Sequence, residues 1–332
     1  MRRHVFLAGV ALASLTPVFA RPQDDEFDPA SSSTTQALRV LLGRGDAQAM
    51  PGGGFTFDGR PYRGTFVRDP DGNIVTTVAL EEYLYSVVPR EMPPSWPPTA
   101  LQAQAVCART YVLQRSSPRR TYDLVPSEAD QVYGGLQSET PAARAAVDAT
   151  AAQVLRFGPG FAQIMYSSCC GGHTEASTDA WGGAFFPYLA GVVCTHCGDS
   201  PNYRWTRDFP LAQVGLAFAQ EIAPFGTLTG IRSTALDGSG RIRTIELTCQ
   251  RGSASIKGST FRLRIGARAL PSLLITKFDT SPDVPDRLTI EGGGLGHGVG
   301  LCQWGARGMA LEGASSSDIL NFYFPGTTIG HD

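Results

Sequence analysis

Four groups of residues in this sequence have types and spacings that could do chemistry. Glu91 lies in Pro89-Arg90-Glu91-Met92-Pro93-Pro94-Ser95-Trp96-Pro97-Pro98, a stretch pinned by five prolines with Met92 and Trp96 as apolar neighbours. A carboxyl group held stiffly against apolar side chains is disfavoured as an anion, so its pKa rises toward that of a general acid working near neutral pH. The bland alternative is a solvated glutamate in a turn. Arg109, eighteen residues on, sits at the margin of an apolar helical stripe. It either snorkels to solvent or turns into a groove to pair with Glu91 or hold a sugar.

The cysteines and histidines form the third group. Cys170-Gly171-Gly172-His173 is a C-x2-H pair, and Cys194-Thr195-His196-Cys197 follows as a C-x2-C pair. Two such pairs let Cys170, His173, Cys194 and Cys197 converge on one Zn²⁺, with glycines supplying the tight turn. Disulfides compete with zinc if the chain is exported. Cys169 is a spare neighbour and His196 an alternative ligand. The fourth group is Gly292-Gly293-Gly294-Leu295-Gly296-His297-Gly298-Val299-Gly300. It lacks the lysine of a phosphate-binding loop, but its amides could cradle a sugar or carboxylate ahead of a helix.

These residues must be positioned by a mixture of strands and helices. Residues 37–78 alternate and break at glycines, which predicts short strands. Leu80, Leu84, Val87 and Val88 recur at helical spacing, with Pro89 expected to end that helix. A second helix is expected from Thr99 to about Arg115, and a third after the Thr140-Pro141 cap to about Ala152. A hairpin is expected around Gly158-Pro159-Gly160, a helix over 210–223, and β structure from Arg241 to Leu263. A short helix follows the glycine cluster. Without βαβ regularity, the expected class is α+β with mostly antiparallel sheet. Residues 37–332 read as one domain, with 206–275 as a smaller β-rich part.

The chain has 332 residues, 42% hydrophobic and 17% charged, which excludes global disorder. Net charge is −2 and no basic block occurs, which argues against nucleic-acid binding. Residues 1–20 read as an export signal: Arg2-Arg3-His4, an apolar run from Val5 to Leu15, and Val18-Phe19-Ala20 as cleavage site. Residues 21–36 read as a disordered linker. No second long apolar run exists, so no transmembrane segment is expected in the mature chain, which would work in the periplasm, in the cell wall or as a secreted protein.

Taken together, the sequence resembles the SpoIID/LytB family of stage II sporulation protein D and amidase enhancers. The likeness is carried by Pro89-Arg90-Glu91-Met92-Pro93, Ala100-Leu101-Gln102-Ala103-Gln104-Ala105-Val106 with Ala108-Arg109-Thr110-Tyr111, and Asp130-Gln131-Val132-Tyr133-Gly134-Gly135. It continues in Cys170-Gly171-Gly172-His173-Thr174-Glu175, Phe186-Pro187-Tyr188-Leu189, Gly238-Ser239-Gly240-Arg241 and Gly296-His297-Gly298-Val299-Gly300-Leu301-Cys302-Gln303-Trp304-Gly305-Ala306. Cys169 departs from the family pattern, which has serine there.

The resemblance implies a lytic transglycosylase that cuts peptidoglycan glycan strands, preferably those stripped of stem peptides. It implies Glu91 and Arg109 as catalytic residues, Tyr188, His297 and Gln303 as substrate contacts, and Cys170 and His173 in a metal-associated motif. A cell-wall amidase is the implied protein partner. Ordinary glycosidases need two carboxylates, whereas a lytic transglycosylase can work with one.

Overall fold

Around the helix that carries Gln104 and Arg109, the chain assembles its larger core. The computed structural model describes residues 36–280 and 286–332, so the expected leader and nearly all of the expected linker lie outside the described residues. The fold is α+β, built from helices and several small, mainly antiparallel sheets.

Strand Ala37–Arg44 pairs antiparallel with Asn73–Ala79, which also pairs with Thr65–Arg68. Alternation buries Leu38 and Val40 from the first strand and Ile74, Thr76 and Val78 from the second. Helix α1, Leu80–Glu91, continues directly from that strand. Glu81 and Glu82 in its first turn suit the positive end of the helix dipole. Pro89 lies inside the helix rather than ending it. It removes one i→i−4 backbone bond in the last turn, a local cost that packing of α1 offsets, since Leu84, Val87 and Val88 are buried.

Helix α2, Pro98–Arg115, starts one residue earlier than expected, with proline in its first turn. Thirteen of its eighteen residues are buried, so it is a central helix with no solvent face along most of its length. That overturns the expectation of an apolar stripe with Arg109 on its edge. The third helix, Pro141–Asp148, has its Thr140 cap as expected but stops before Ala152. The hairpin Gln153–Phe157 with Gly160–Phe161 forms, and the C-terminal strand Thr328–His331 joins it.

A second core gathers Trp205, Phe218, Ile231, Ile245, Leu247, Phe261, Leu288 and Ile290. It is covered by the sheet Leu228–Leu236, Ile242–Cys249, Gly252–Lys257 and by a sheet in which Arg287–Gly293 lies between Trp205–Pro210 and Leu274–Asp279. Position 275, the expected end of the smaller β-rich part, falls inside the strand Leu274–Asp279, and this core runs to Ile290. Residues Gly258–Ile265 are helical where β structure was expected. Phe261 points inward to stack on Phe218 while Leu263 is exposed, so the alternation read there was coincidental.

Candidate active site and thiol cluster

Glu91 is the last residue of α1. Met92 leaves in an extended conformation, its N–H still donating to the Val88 carbonyl. A turn closed by Trp96 N–H to the Pro93 carbonyl then leads into α2, so few backbone torsions separate the two helices. Glu91 is half-buried, and burial raises its pKa above the ordinary carboxylate value. The Val132 backbone N–H and the Gln303 side chain oppose that rise by donating to the carboxylate. Tyr83, Tyr111 and Tyr166 surround it closely enough for its charge to raise their own pKa values.

Gln303 Nε2 lies 3.5 Å from Glu91 Oε2 and 3.4 Å from Gln104 Oε1. The next residue, Trp304, packs edge-on against Trp96 with ring centroids 5.0 Å apart. Two consecutive side chains at the start of the helix Gln303–Leu311 therefore grip both ends of the Glu91 loop. Arg307, one turn on, lies over the Trp304 ring.

The residue before Gln303 belongs to a different kind of site. Cys170, Cys194, Cys197 and Cys302 are all buried, with sulfurs within 4.8 Å of one another. Cys170 and Cys197 sulfurs are 3.7 Å apart, close to the edge of about 3.8 Å of a tetrahedron with 2.3 Å zinc–sulfur bonds. Cys302 caps the helix Gln303–Leu311: its sulfur accepts from the N–H groups of Gly305 and Cys170. Such donors favour a thiolate, while burial pushes the free thiol's pKa up. Four buried sulfurs within 4.8 Å of one another are a donor set that fits a metal ion. Gly305 leaves the space this needs, since a Cβ there would lie 2.8 Å from Cys194 sulfur and 1.9 Å from Tyr323 Oη.

His173 is not among the four. Its Nδ1 is 2.7 Å from the Thr174 carbonyl, and Cys302 stands in the place expected for it. The reason is the chain path after Cys170. Gly171 and Gly172 both have positive φ, and residue 173 then pairs with Val193. The turn is locked by Arg241, which donates to the Cys170 carbonyl at 2.7 Å and the His173 carbonyl at 2.9 Å. Cys302 arrives through the parallel pairing of Leu301–Cys302 with Tyr166–Ser167.

Residues 69–157 match the SpoIID family, described as Stage II sporulation protein, and residues 194–300 match a domain of unknown function. An uncharacterized protein of Brachyspira hyodysenteriae is 32% identical over 282 residues, covering 83% of this chain and 74% of that one. The stage II sporulation protein D of Bacillus subtilis is 29% identical over 272 residues, 77% of this chain and 75% of its own. The chain belongs to the SpoIID family. The amidase enhancer of Bacillus subtilis is 32% identical over 296 residues, which are 74% of this chain and 40% of that longer protein.

Of the site residues expected for this SpoIID family member, the structure brings Glu91 and Gln303 together and separates the others from them. Arg109 is fully buried and forms a two-pronged ion pair with Glu81, at 2.8 and 2.6 Å, not with Glu91. Its remaining donors reach the carbonyls of Gln153 and Val147. Tyr188 is buried against Phe157 and Phe186, and its hydroxyl accepts from the Gln163 N–H, so it is not free to contact a substrate. His297 accepts from the Val299 N–H, bonds to the Tyr166 backbone and packs against Trp181. Burial brings it down to about 4, which favours the neutral imidazole. Sequence reasoning missed Gln104, Arg241 and Cys302 as site residues, though all three stand within motifs it had singled out.

Proposed function

We propose that this protein is an exported peptidoglycan lytic transglycosylase that cuts the bond between N-acetylmuramic acid and N-acetylglucosamine, with Glu91 as general acid and then base. The observation that carries the reading is the setting of Glu91: a half-buried acid, raised by burial, met by the Val132 N–H and the Gln303 side-chain amide, and flanked by the Trp96–Trp304 pair. A raised pKa favours the protonated carboxyl that the leaving glycosidic oxygen needs. As the bond to C1 breaks, that oxygen takes the proton from Glu91. The carboxylate then accepts the proton of the same sugar's C6 hydroxyl, whose oxygen bonds to C1 and closes a 1,6-anhydro ring. Glu91 ends protonated and no water is consumed. The nucleophile belongs to the same sugar, so its effective concentration is high. The half-exposed indoles beside Glu91 suit stacking against pyranose faces.

Zinc is proposed for Cys170, Cys194, Cys197 and Cys302. Four protein ligands leave no open position, so bound zinc supplies rigidity to the segment that carries Gln303 and Trp304. The name of the amidase enhancer relative supports a second reading: a glycan-binding module that stimulates a cell-wall amidase without cutting.

Mass spectrometry of products from peptide-free glycan strands separates these readings. Anhydro-ended fragments, one water lighter than hydrolysis products, are expected with the native protein, with a loss of 1000-fold or more in Glu91→Gln, on the order expected for a lost acid–base group. Binding without fragments favours the enhancer. Metal analysis with thiol counting tests zinc: stoichiometric metal and no disulfides among the four cysteines is the expected result.

A further inference from the structure

We propose that Gln104 is a positioning residue for Glu91, acting through Gln303 to fix which end of that amide faces the carboxyl group. The proposal rests on the reading of Glu91 as the catalytic acid.

Gln104 lies in the middle of α2 and is fully buried. Its Oε1 can only accept, so it calls for the NH2 end of Gln303, 3.4 Å away. That same nitrogen lies 3.5 Å from Glu91 Oε2. Two hydrogens on one nitrogen thus serve two acceptors at once. Remove the Gln104 acceptor and the Gln303 amide can turn over, placing its own carbonyl oxygen against the carboxylate. With the NH2 held on Oε2, that oxygen is the acceptor and the acid's proton belongs on Oε1.

The second observation is that Gln104 is poorly served in return. Among the described residues its Nε2 has no hydrogen-bond partner, and neither do Gln131 Oε1 and Tyr83 Oη. Gln131 reaches the Ala108 carbonyl, one turn along α2 from Gln104, and the Tyr166 hydroxyl. A buried amide left half-bonded destabilises the fold, so stability does not explain a glutamine here. An apolar side chain of the same shape would cost less. The groups whose charges bear on Glu91 are Arg90 on its own helix and Glu128, with Tyr83, Tyr111 and Tyr166 around it.

The test follows Glu91 by its side-chain carboxyl carbon in NMR titrations, assigned with Glu91→Gln. Native protein is compared with Gln104→Met, Gln303→Met and the double variant, with Gln104→Leu as a second replacement. A donor on the carboxylate lowers its pKa, so loosening it raises the midpoint. Gln104→Met is expected to raise it by about half a unit or more, Gln303→Met by a similar amount, and the double variant by no more than Gln303→Met. Melting temperature should be at or above native. With glycan, Gln104→Met should lower kcat ~10-fold with KM unchanged. A midpoint unmoved in both Gln104 variants, or shifts that simply add in the double variant, overturns the proposal. The titration needs no turnover, so expected shifts in a protein that never cuts glycan would overturn the transglycosylase reading and not this one.

Discussion

The two sides of the Gln303 backbone are built in opposite ways. On the thiol side the main parts are tied by short contacts: Cys302 sulfur takes two backbone donors, Arg241 locks two carbonyls of the facing turn although its Nε has no hydrogen-bond partner among the described residues, and Tyr323 Oη lies 3.1 Å from Cys194 sulfur. On the Glu91 side the contacts are long, and among the described residues Gln104 Nε2, Gln131 Oε1 and Tyr83 Oη lack partners. On the proposed reading, the thiol side holds and the Glu91 side reacts.

Cutting the holding side should have the largest effect on stability. Cys302→Ser is expected to cost several kcal/mol and to abolish stoichiometric metal, read by thermal melting and metal analysis. Unchanged melting and metal content would mean that the four thiols do not act as one site. Next comes Arg109, which the family resemblance places in catalysis and the structure places among the holders. Arg109→Met should destabilise by about 3 kcal/mol, toward the low end for a broken buried pair because Glu81 reaches solvent. Cleavage by the folded fraction should keep the native pH profile. A shifted profile would return Arg109 to the reacting side.

Glu175 supplies a pH test of the holding side. It is buried 3.5 Å from Arg241 Nε, yet burial, with Asp237 adding to it, raises it to about 8. A carboxyl with a raised folded pKa adds stability that is full below its unfolded value, near 4.5, and is lost as pH rises through 8. Stability should therefore fall across that window, by at most about 1.4 kcal/mol per pH unit from this one proton. Glu175→Gln should flatten the curve, and an unflattened curve would show the Arg241 pair to be fully ionised. The smallest effect is expected for His173→Ala, within about 0.5 kcal/mol and with metal content unchanged. Loss of metal in that variant would put the histidine back among the ligands.

The α+β class, the Thr140 cap and the hairpin were all legible because each depends on neighbours within a few residues: turn glycines, helical spacing, a cap. The same local reading paired Cys170 with His173, since ligands three apart on a glycine turn look ready to chelate. It could not see that Arg241 ties the turn from another part of the chain. Pro89 and Leu263 misled for a related reason: breaker and alternation rules assume that local preference decides, whereas packing around α1 and Phe261 did.

By itself the sequence determined where an acid with a raised pKa stands and which thiols lie near one another along the chain. Only the tertiary structure decided that Cys302 completes the thiol set, that Arg109 pairs with Glu81, and that Gln104 meets Gln303. The parallel pairing of Leu301–Cys302 with Tyr166–Ser167 brings together residues more than 130 positions apart. Contacts of that range are set by strand pairing and core packing, which no spacing rule along the chain encodes.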